Sequence, residues 1–131
     1  MNGEPDYVLD STALIALLLQ EPGNTKIEDV LGRSAISAVN LTETIHKLLR
    51  KGLSQQIVER LLQALQLNVI DWSEALAYRS AELATLGTAQ GFSLGDRACL
   101  TLAKHLHATA VTADRAWRQV PALGVKVLVF R

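Results

Sequence analysis

Cysteine is almost absent from this chain of 131 residues, which has Cys99 alone. A single cysteine excludes an internal disulfide framework, and because Cys99 falls inside a helical pattern we expect a buried, unreactive thiol. A net charge is absent too, since 13 Lys and Arg residues balance 13 Asp and Glu residues. No strong overall field therefore attracts a polyanion, and nucleic-acid binding would need a local basic patch.

Long apolar runs are missing as well. The apolar segment that follows Asp10 ends at Gln20, which is too short to cross a membrane. The polar, acidic residues 1–6 lack the basic and then apolar pattern of a secretory signal. Repeats, linkers and low-complexity tracts are also lacking. We therefore expect a soluble cytoplasmic protein without a membrane partner, folded as a single domain over residues 1–131.

Short apolar segments alternate with segments of helical periodicity along the whole chain. The predicted strands are residues 7–9, 34–37, 67–72, 109–112 and 125–130. The predicted helices are residues 11–19, 25–31, 38–51, 54–65, 73–88 and 93–106, with a short helical turn at 114–119. This alternation predicts an α/β fold with a mostly parallel central sheet and helices on both of its faces.

Acidic residues occur where these elements meet one edge of the predicted sheet. In such a fold, the carboxyl ends of the strands and the amino ends of the helices lie at the same edge. Asp10 directly follows the first strand, and Asp114 follows the fourth. Asp96 lies in the first turn of the helix that Ser93 opens, and Glu43 lies in the second turn after strand two. Four carboxylates from separate segments are therefore predicted to converge.

Each of these acids also has an ordinary structural explanation. Asp10 would cap the first helix, Ser93 and Asp96 would form a capping box, and Asp114 would be a turn residue. Glu43 would pair with the lysine four residues later. Together, however, like charges in one cleft destabilise a fold unless a cation neutralises them. Oxygen ligands select Mg²⁺ or Mn²⁺, ions that activate water for phosphodiester hydrolysis.

The four acids lie in four short segments of characteristic composition. In chain order these are Val8-Leu9-Asp10-Ser11-Thr12-Ala13-Leu14, Glu43 in the third helix, Ser93-Leu94-Gly95-Asp96-Arg97-Ala98 and Thr112-Ala113-Asp114-Arg115-Ala116-Trp117. They resemble the signatures of the PIN domain, and in particular those of the VapC-type toxin ribonucleases of bacterial toxin–antitoxin pairs. The resemblance covers essentially the whole chain and implies a three-layer α/β/α sandwich in which strand one lies beside strand four.

The resemblance also implies an activity and a set of site residues. The activity is that of a Mg²⁺- or Mn²⁺-dependent endoribonuclease that acts on RNA, is often a homodimer and is inhibited by a small antitoxin protein. The implied catalytic and metal-binding residues are Asp10, Glu43, Asp96 and Asp114, with Thr112 as a supporting hydroxyl. The alternative is a PIN-like domain that binds RNA or protein without cutting. A degenerate member of that kind would lack a carboxylate, so the complete set favours the enzyme.

Three further features are less specific. Arg97 and Arg115 each follow a proposed site acid and are candidates for contacting substrate phosphates, although solvated charges or partners of neighbouring acids explain them as well. The apolar helical hairpin from Leu41 to Leu67 is a candidate dimer surface. Asp71 also ends a strand, but we expect that strand to lie at an edge of the sheet, away from the cleft.

Overall fold

A parallel sheet of five strands forms the centre of the structure, a computed structural model that describes residues 4–85, 91–119 and 124–131. Its strands are β1 (Tyr7–Leu9), β2 (Ser34–Ser37), β3 (Asn68–Ile70), β4 (Thr109–Thr112) and β5 (Val127–Val129). They lie in the order β3-β2-β1-β4-β5, and each pair of neighbours is parallel. The central strand β1 therefore lies between β2 and β4, and the predicted neighbourhood of strands one and four is confirmed.

Helices cover both faces of this sheet. They are α1 (Ser11–Leu19), α2 (Asn24–Val30), α3 (Ala38–Arg50), α4 (Gln55–Ala64), α5 (Glu74–Ala84) and α6 (Leu94–Leu106), with short 3-10 helices at Leu31–Arg33 and Arg115–Gln119. Val8 packs in an apolar cluster with α5 and α6, whereas Leu9 packs in a second cluster with α1 to α4. Because consecutive strand residues point to opposite faces, these clusters are the two sides of the sheet. The predicted three-layer α/β/α sandwich is confirmed.

The helices begin at the capping residues that the sequence offers. In five of them a side-chain oxygen accepts a hydrogen bond from the backbone N–H three residues later, and the caps are Asp10, Ser37, Ser54, Ser73 and Ser93. Asp10 and Ser37 end or directly follow strands, so α1 and α3 both start at the carboxyl edge of the sheet. No helix in the described part of the chain is long and apolar enough to cross a lipid bilayer.

Element ends differ from the sequence prediction mainly at the edges of the sheet. The edge strands β3 and β5 are shorter than the predicted segments 67–72 and 125–130. An edge strand pairs on one side only, so its end residues have fewer ladder hydrogen bonds than those of a central strand. Helix α5 ends at Ala84 with Thr85 as its C-cap, and residues 86–88 of the predicted continuation towards Thr88 lie outside the described residues.

Candidate functional site

The Asp10 carboxylate lies at the carboxyl end of β1 and is held between two threonine hydroxyls. Thr12 Oγ1 donates to Oδ1 at 2.5 Å, and Thr112 Oγ1 donates to Oδ2 at 2.6 Å. The backbone N–H of Ala13 also donates to Oδ1, at 3.1 Å. Asp10 is only 5% exposed, so these donors replace the water that a carboxylate normally binds. Thr112, which the family resemblance implies as a supporting hydroxyl, thus contacts Asp10 directly.

Each threonine hydroxyl is in turn oriented by a backbone N–H just after β4. Ala113 N donates to Thr12 Oγ1, and Asp114 N donates to Thr112 Oγ1, both at 3.0 Å. A hydroxyl that accepts a bond in this way directs its own proton to another acceptor, and the two bonds polarise each other. Two chains of two hydrogen bonds therefore connect backbone N–H groups after β4 to the two carboxylate oxygens of Asp10, one through Thr12 and one through Thr112.

The environment of Asp10 opposes its negative charge. Burial raises the pKa of the Asp10 carboxyl above its usual range, and the neighbouring Asp96 carboxylate raises it further. The hydrogen bonds from Thr112, Thr12 and Ala13 lower it, because they stabilise the ionised form. Burial and a like charge thus destabilise the ionised form of the Asp10 carboxyl. The hydrogen-bond donors compensate for this destabilisation only in part.

The buried thiol of Cys99 lies in the electrostatic field of the same acidic residues. Cys99 is fully buried, with its Sγ 3.7 Å from the Val8 carbonyl oxygen, and the prediction of a buried thiol is confirmed. Burial raises the pKa of the Cys99 thiol well above its usual range, and the carboxylates of Asp10, Asp96 and Glu43 raise it further. The charges of these three acids therefore act on one region behind the carboxyl edge.

Glu43 is half-buried on α3 and faces the first turn of α6. Asn40 Nδ2 donates to Glu43 Oε1 at 2.9 Å. Gly95 lies directly against the carboxylate, and a Cβ at that position would collide with it. Lys47, the lysine with which Glu43 would pair by spacing, instead donates to Ser11 Oγ at 2.9 Å. The carboxylate of Glu43 is therefore directed towards α6 and not into a solvated helix face.

Asp96 and Asp114 make the local contacts expected of capping residues. Asp96 Oδ2 accepts from Ser93 N at 3.0 Å, and Ser93 Oγ accepts from Asp96 N at 3.1 Å, so the capping box forms. Asp114 is exposed, and its Oδ1 accepts from Ala116 N at 2.9 Å. The ordinary explanations thus hold for both residues. Asp96 has in addition its electrostatic effect on Asp10, whereas Asp114 joins the site through its backbone N–H.

The donor set fits a hard cation in its chemistry but is not assembled around one point. Among the described residues, no three His, Cys, Asp or Glu side chains are placed closely enough to hold a metal ion. The acids that act on the Cys99 thiol nevertheless offer carboxylate oxygens only, which suit Mg²⁺ or Mn²⁺. The buried Asp10 beside Asp96 is also the arrangement that a cation would relieve. The metal site stays a prediction.

The two arginines proposed to contact substrate have different surroundings. Arg97 is half-buried, and its Nη1 donates to the Phe92 carbonyl oxygen at 2.6 Å, which supports the segment before α6. Arg115 is exposed in the 3-10 helix after β4. Asp71 follows the edge strand β3, as expected. A structural contact thus accounts for Arg97, and a role in substrate binding stays a prediction for both arginines.

Sequence reasoning missed three residues that shape the site. Thr12 holds Asp10, and Asn40 and Gly95 hold Glu43. Some signals were available, because Thr12 is a hydroxyl residue in the first turn after Asp10, and a glycine in the first turn of a helix is unusual without a close contact. The signal for Asn40 is weaker, since a polar residue near a helix start is common.

Comparison with known proteins relates this geometry to a family. A family model described as "PIN domain" matches residues 7–123. The chain is similar to the DNA-bound VapBC from Salmonella typhimurium, with 18% identity over 95% of this chain and 97% of that chain and a TM-score of 0.76. None of the curated protein sequences matches the chain.

Two further solved structures share the fold. One is VapBC2 from Rickettsia felis bound to a DNA fragment from its promoter, with 20% identity over 93% of this chain and 96% of that chain and a TM-score of 0.73. The other is VapBC-1 from nontypeable Haemophilus influenzae, with 18% identity over 95% of this chain and 97% of that chain and a TM-score of 0.71. The match to the family model extends from the start of β1 to residue 123 and includes all four candidate acids. The chain therefore belongs to the PIN-domain family.

Proposed function

We propose that this protein is a metal-dependent endoribonuclease that hydrolyses RNA phosphodiester bonds at the carboxyl edge of its sheet. The observation that supports this most strongly is the buried Asp10 carboxylate, which is held between Thr12 and Thr112 with the charge of Asp96 beside it. A fold gains no stability from burying an ionised carboxylate next to a like charge, so a functional requirement explains the arrangement better. Membership of a family whose proteins are typically nucleases supports the same activity.

Asp10, Glu43, Asp96 and Asp114 would hold the metal, with Mg²⁺ or Mn²⁺ as the ion. When bound, such an ion lowers the pKa of a water molecule and stabilises negative charge on phosphate oxygens. The residues of the chain would position the ion. Thr12 and Thr112 fix the orientation of Asp10 by one hydrogen bond to each oxygen. Among the described residues these carboxylates are not gathered at one point, so Asp96, whose Oδ2 accepts from Ser93 N, would have to turn towards Asp10.

We further propose that the protein is the cytoplasmic toxin of a VapBC-type pair and that a cognate antitoxin protein inhibits it. The similarity of fold to VapBC complexes supports this assignment. Expression of the wild type should arrest bacterial growth, and Asp10→Asn should relieve the arrest at equal protein levels. Arrest by both proteins would contradict a toxin that acts through this site.

A homodimer is also proposed, with the apolar hairpin of α3 and α4 as its surface. The hairpin borders a groove lined by Leu41, Ile45, Leu62, Leu67 and Val69, among others, and Val69 on the edge strand is 38% exposed. Burial of such apolar surface would favour association. Sedimentation should therefore give a dimer for the wild type and a monomer for Leu41→Glu. A wild type that stays monomeric at high concentration would contradict the dimer.

Incubation of the purified protein with a mixed RNA pool tests the enzymatic activity. We expect specific cut ends with Mg²⁺ or Mn²⁺ and none with a chelator. Asp10→Asn should abolish cleavage, whereas Asp71→Asn should not, because Asp71 is an exposed aspartate that follows the edge strand β3. RNA binding without cleavage would favour the non-catalytic alternative. Full activity of Asp10→Asn would contradict the role given to that carboxylate.

A further inference from the structure

Asn40 is a fully buried polar residue on α3, one helical turn before Glu43. Its Nδ2 donates to Glu43 Oε1 and to the Gly95 carbonyl oxygen, both at 2.9 Å. Ser37 Oγ donates to Asn40 Oδ1 at 2.7 Å and accepts from Asn40 N at 3.0 Å. The amide orientation follows from these partners, because a carboxylate and a carbonyl oxygen only accept. Both ends of the amide are therefore used, and the Nδ2 end joins α3 to α6.

The pattern of burial along α3 indicates that Asn40 occupies a position at which an apolar residue would otherwise be expected. The helix buries Asn40, Thr44 and Leu48 at intervals of four residues, so they form one stripe. The stripe is apolar at Leu48 and polar at Asn40, where it reaches the carboxyl edge of the sheet. An apolar residue at position 40 would fill the space, but it would leave the Gly95 carbonyl and the Glu43 carboxylate without this donor.

Gly95 contacts the Glu43 carboxylate on the side of α6. A Cβ built on Gly95 would collide with the carboxylate carbon and both of its oxygens. The carboxylate thus lies between the Asn40 amide on its own helix and the bare backbone of α6. The residue after Gly95 is Asp96, so the contact that locates Glu43 also locates it relative to a second candidate ligand.

We propose that Asn40 is a positioning residue for the metal site, acting through the Glu43 carboxylate that it holds against Gly95. This inference rests on the proposed function, because the metal site is part of it. Hydrogen-bond partners of metal ligands typically change metal affinity by about 10- to 100-fold when they are removed. Asn40 does not touch the substrate or the metal in this scheme. Its effect is therefore expected in Mn²⁺ affinity and must depend on the presence of Glu43.

A double-mutant cycle on Mn²⁺ affinity, measured by titration calorimetry on the full chain, tests this dependence. Asn40→Ala should weaken Mn²⁺ binding by roughly tenfold or more. In the Glu43→Ala background the same substitution should have no further effect. Thr44→Ala is the matched control, because Thr44 is equally buried on the same helix and its hydroxyl donates to the Asn40 carbonyl oxygen and not to Glu43. We expect it to leave Mn²⁺ affinity unchanged.

Gly95→Ala perturbs the same carboxylate from the other side and keeps Asn40 intact, so it tests the idea even if Asn40→Ala does not fold. It should weaken Mn²⁺ binding as well, and this loss should also vanish in the Glu43→Ala background. Equal losses with and without Glu43, or Mn²⁺ affinity unchanged in the single variants, would overturn the positioning role. A wild type that binds no Mn²⁺ would overturn the metal site itself. Coupled Mn²⁺ binding without RNA cleavage would contradict the proposed activity alone.

Discussion

Replacing Thr112 with valine would remove one hydroxyl from the Asp10 carboxylate and leave the shape of the side chain almost unchanged. In the wild type this hydroxyl donates to Asp10 Oδ2 at 2.6 Å, and Thr112 is fully buried. A hydrogen bond to a charged group contributes about 1.5–3 kcal/mol to stability. We therefore expect Thr112→Val to lower the free energy of unfolding by about 2 kcal/mol at a pH at which Asp10 is ionised. For a domain of this size, the melting temperature would fall by roughly 6–10 °C.

The size of this loss should depend on pH in a defined direction. The pKa of Asp10 is raised above its ordinary value of 3.8, so the folded state binds more protons and stability falls as pH rises through the folded pKa. The Thr112 hydroxyl lowers that pKa by stabilising the ionised form, and its removal raises the pKa further. The difference between Thr112→Val and the wild type should thus be largest where Asp10 is ionised and should narrow in acid.

Urea unfolding of both proteins between pH 4 and pH 8, without metal, measures this difference. Thr112→Ser is the matched control, because it keeps the hydroxyl and loses a methyl group, which costs about 1 kcal/mol. We expect the loss in the serine variant to be independent of pH. A valine variant whose loss of stability is the same at every pH would refute the idea that the hydroxyl acts through the charge of Asp10.

Three other substitutions or reactions test separate parts of the site. Asp10→Asn should raise the melting temperature at neutral pH without metal, because it removes a carboxylate whose pKa burial has raised, and the gain should disappear in acid; a lower melting temperature at neutral pH would contradict this. Gly95→Ala should destabilise the fold by about 1–3 kcal/mol through its collision with Glu43. Gly32→Ala is its control, since a Cβ there meets nothing within 4 Å, and equal chemical denaturation of both variants would argue against the collision. Cys99 should resist iodoacetamide in the folded protein and react only in denaturant, because its thiol is buried and its pKa is raised; rapid labelling of the native protein would be inconsistent with the structure.

The fold could be predicted from the sequence because its signals are local. Apolar segments such as Ser34–Ser37 and caps such as Ser54 and Ser93 lie within a few residues of the elements that they define. The order of elements then implies a parallel sheet, and a parallel sheet fixes the edge at which its strand ends and helix starts meet. Asp10 could therefore be assigned to that edge without knowledge of any distant contact.

The internal contacts of the site could not be predicted in this way. The bonds from Thr112 to Asp10 and from Asn40 to Gly95 join residues 102 and 55 positions apart in the chain. Their geometry follows from how β1, β4, α3 and α6 pack, which no local spacing encodes. Helical spacing alone favours a pairing of Glu43 with Lys47, but the fold directs the lysine to Ser11 instead.

The burial of Asp10 also depends on tertiary structure. Aspartate is mostly exposed in proteins, and nothing near Asp10 in the sequence indicates a carboxylate that is only 5% exposed. The burial follows from the position of β1 between β2 and β4, with α1 starting directly after Asp10. The effect of burial on the pKa of Asp10, and hence on the stability of the fold, can be inferred only when the position of β1 in the sheet is known.

The most direct test of the central claim is the anomalous scattering of Mn²⁺ in crystals of the wild type and of Asp10→Asn. The four acids are proposed to form the metal site, so the wild type should give an anomalous peak beside Asp10 at the carboxyl end of β1, with Glu43, Asp96 or Asp114 among the neighbouring ligands. The peak should be lost in Asp10→Asn. No peak at this edge at millimolar Mn²⁺, or a peak that persists undiminished in Asp10→Asn, would contradict the account.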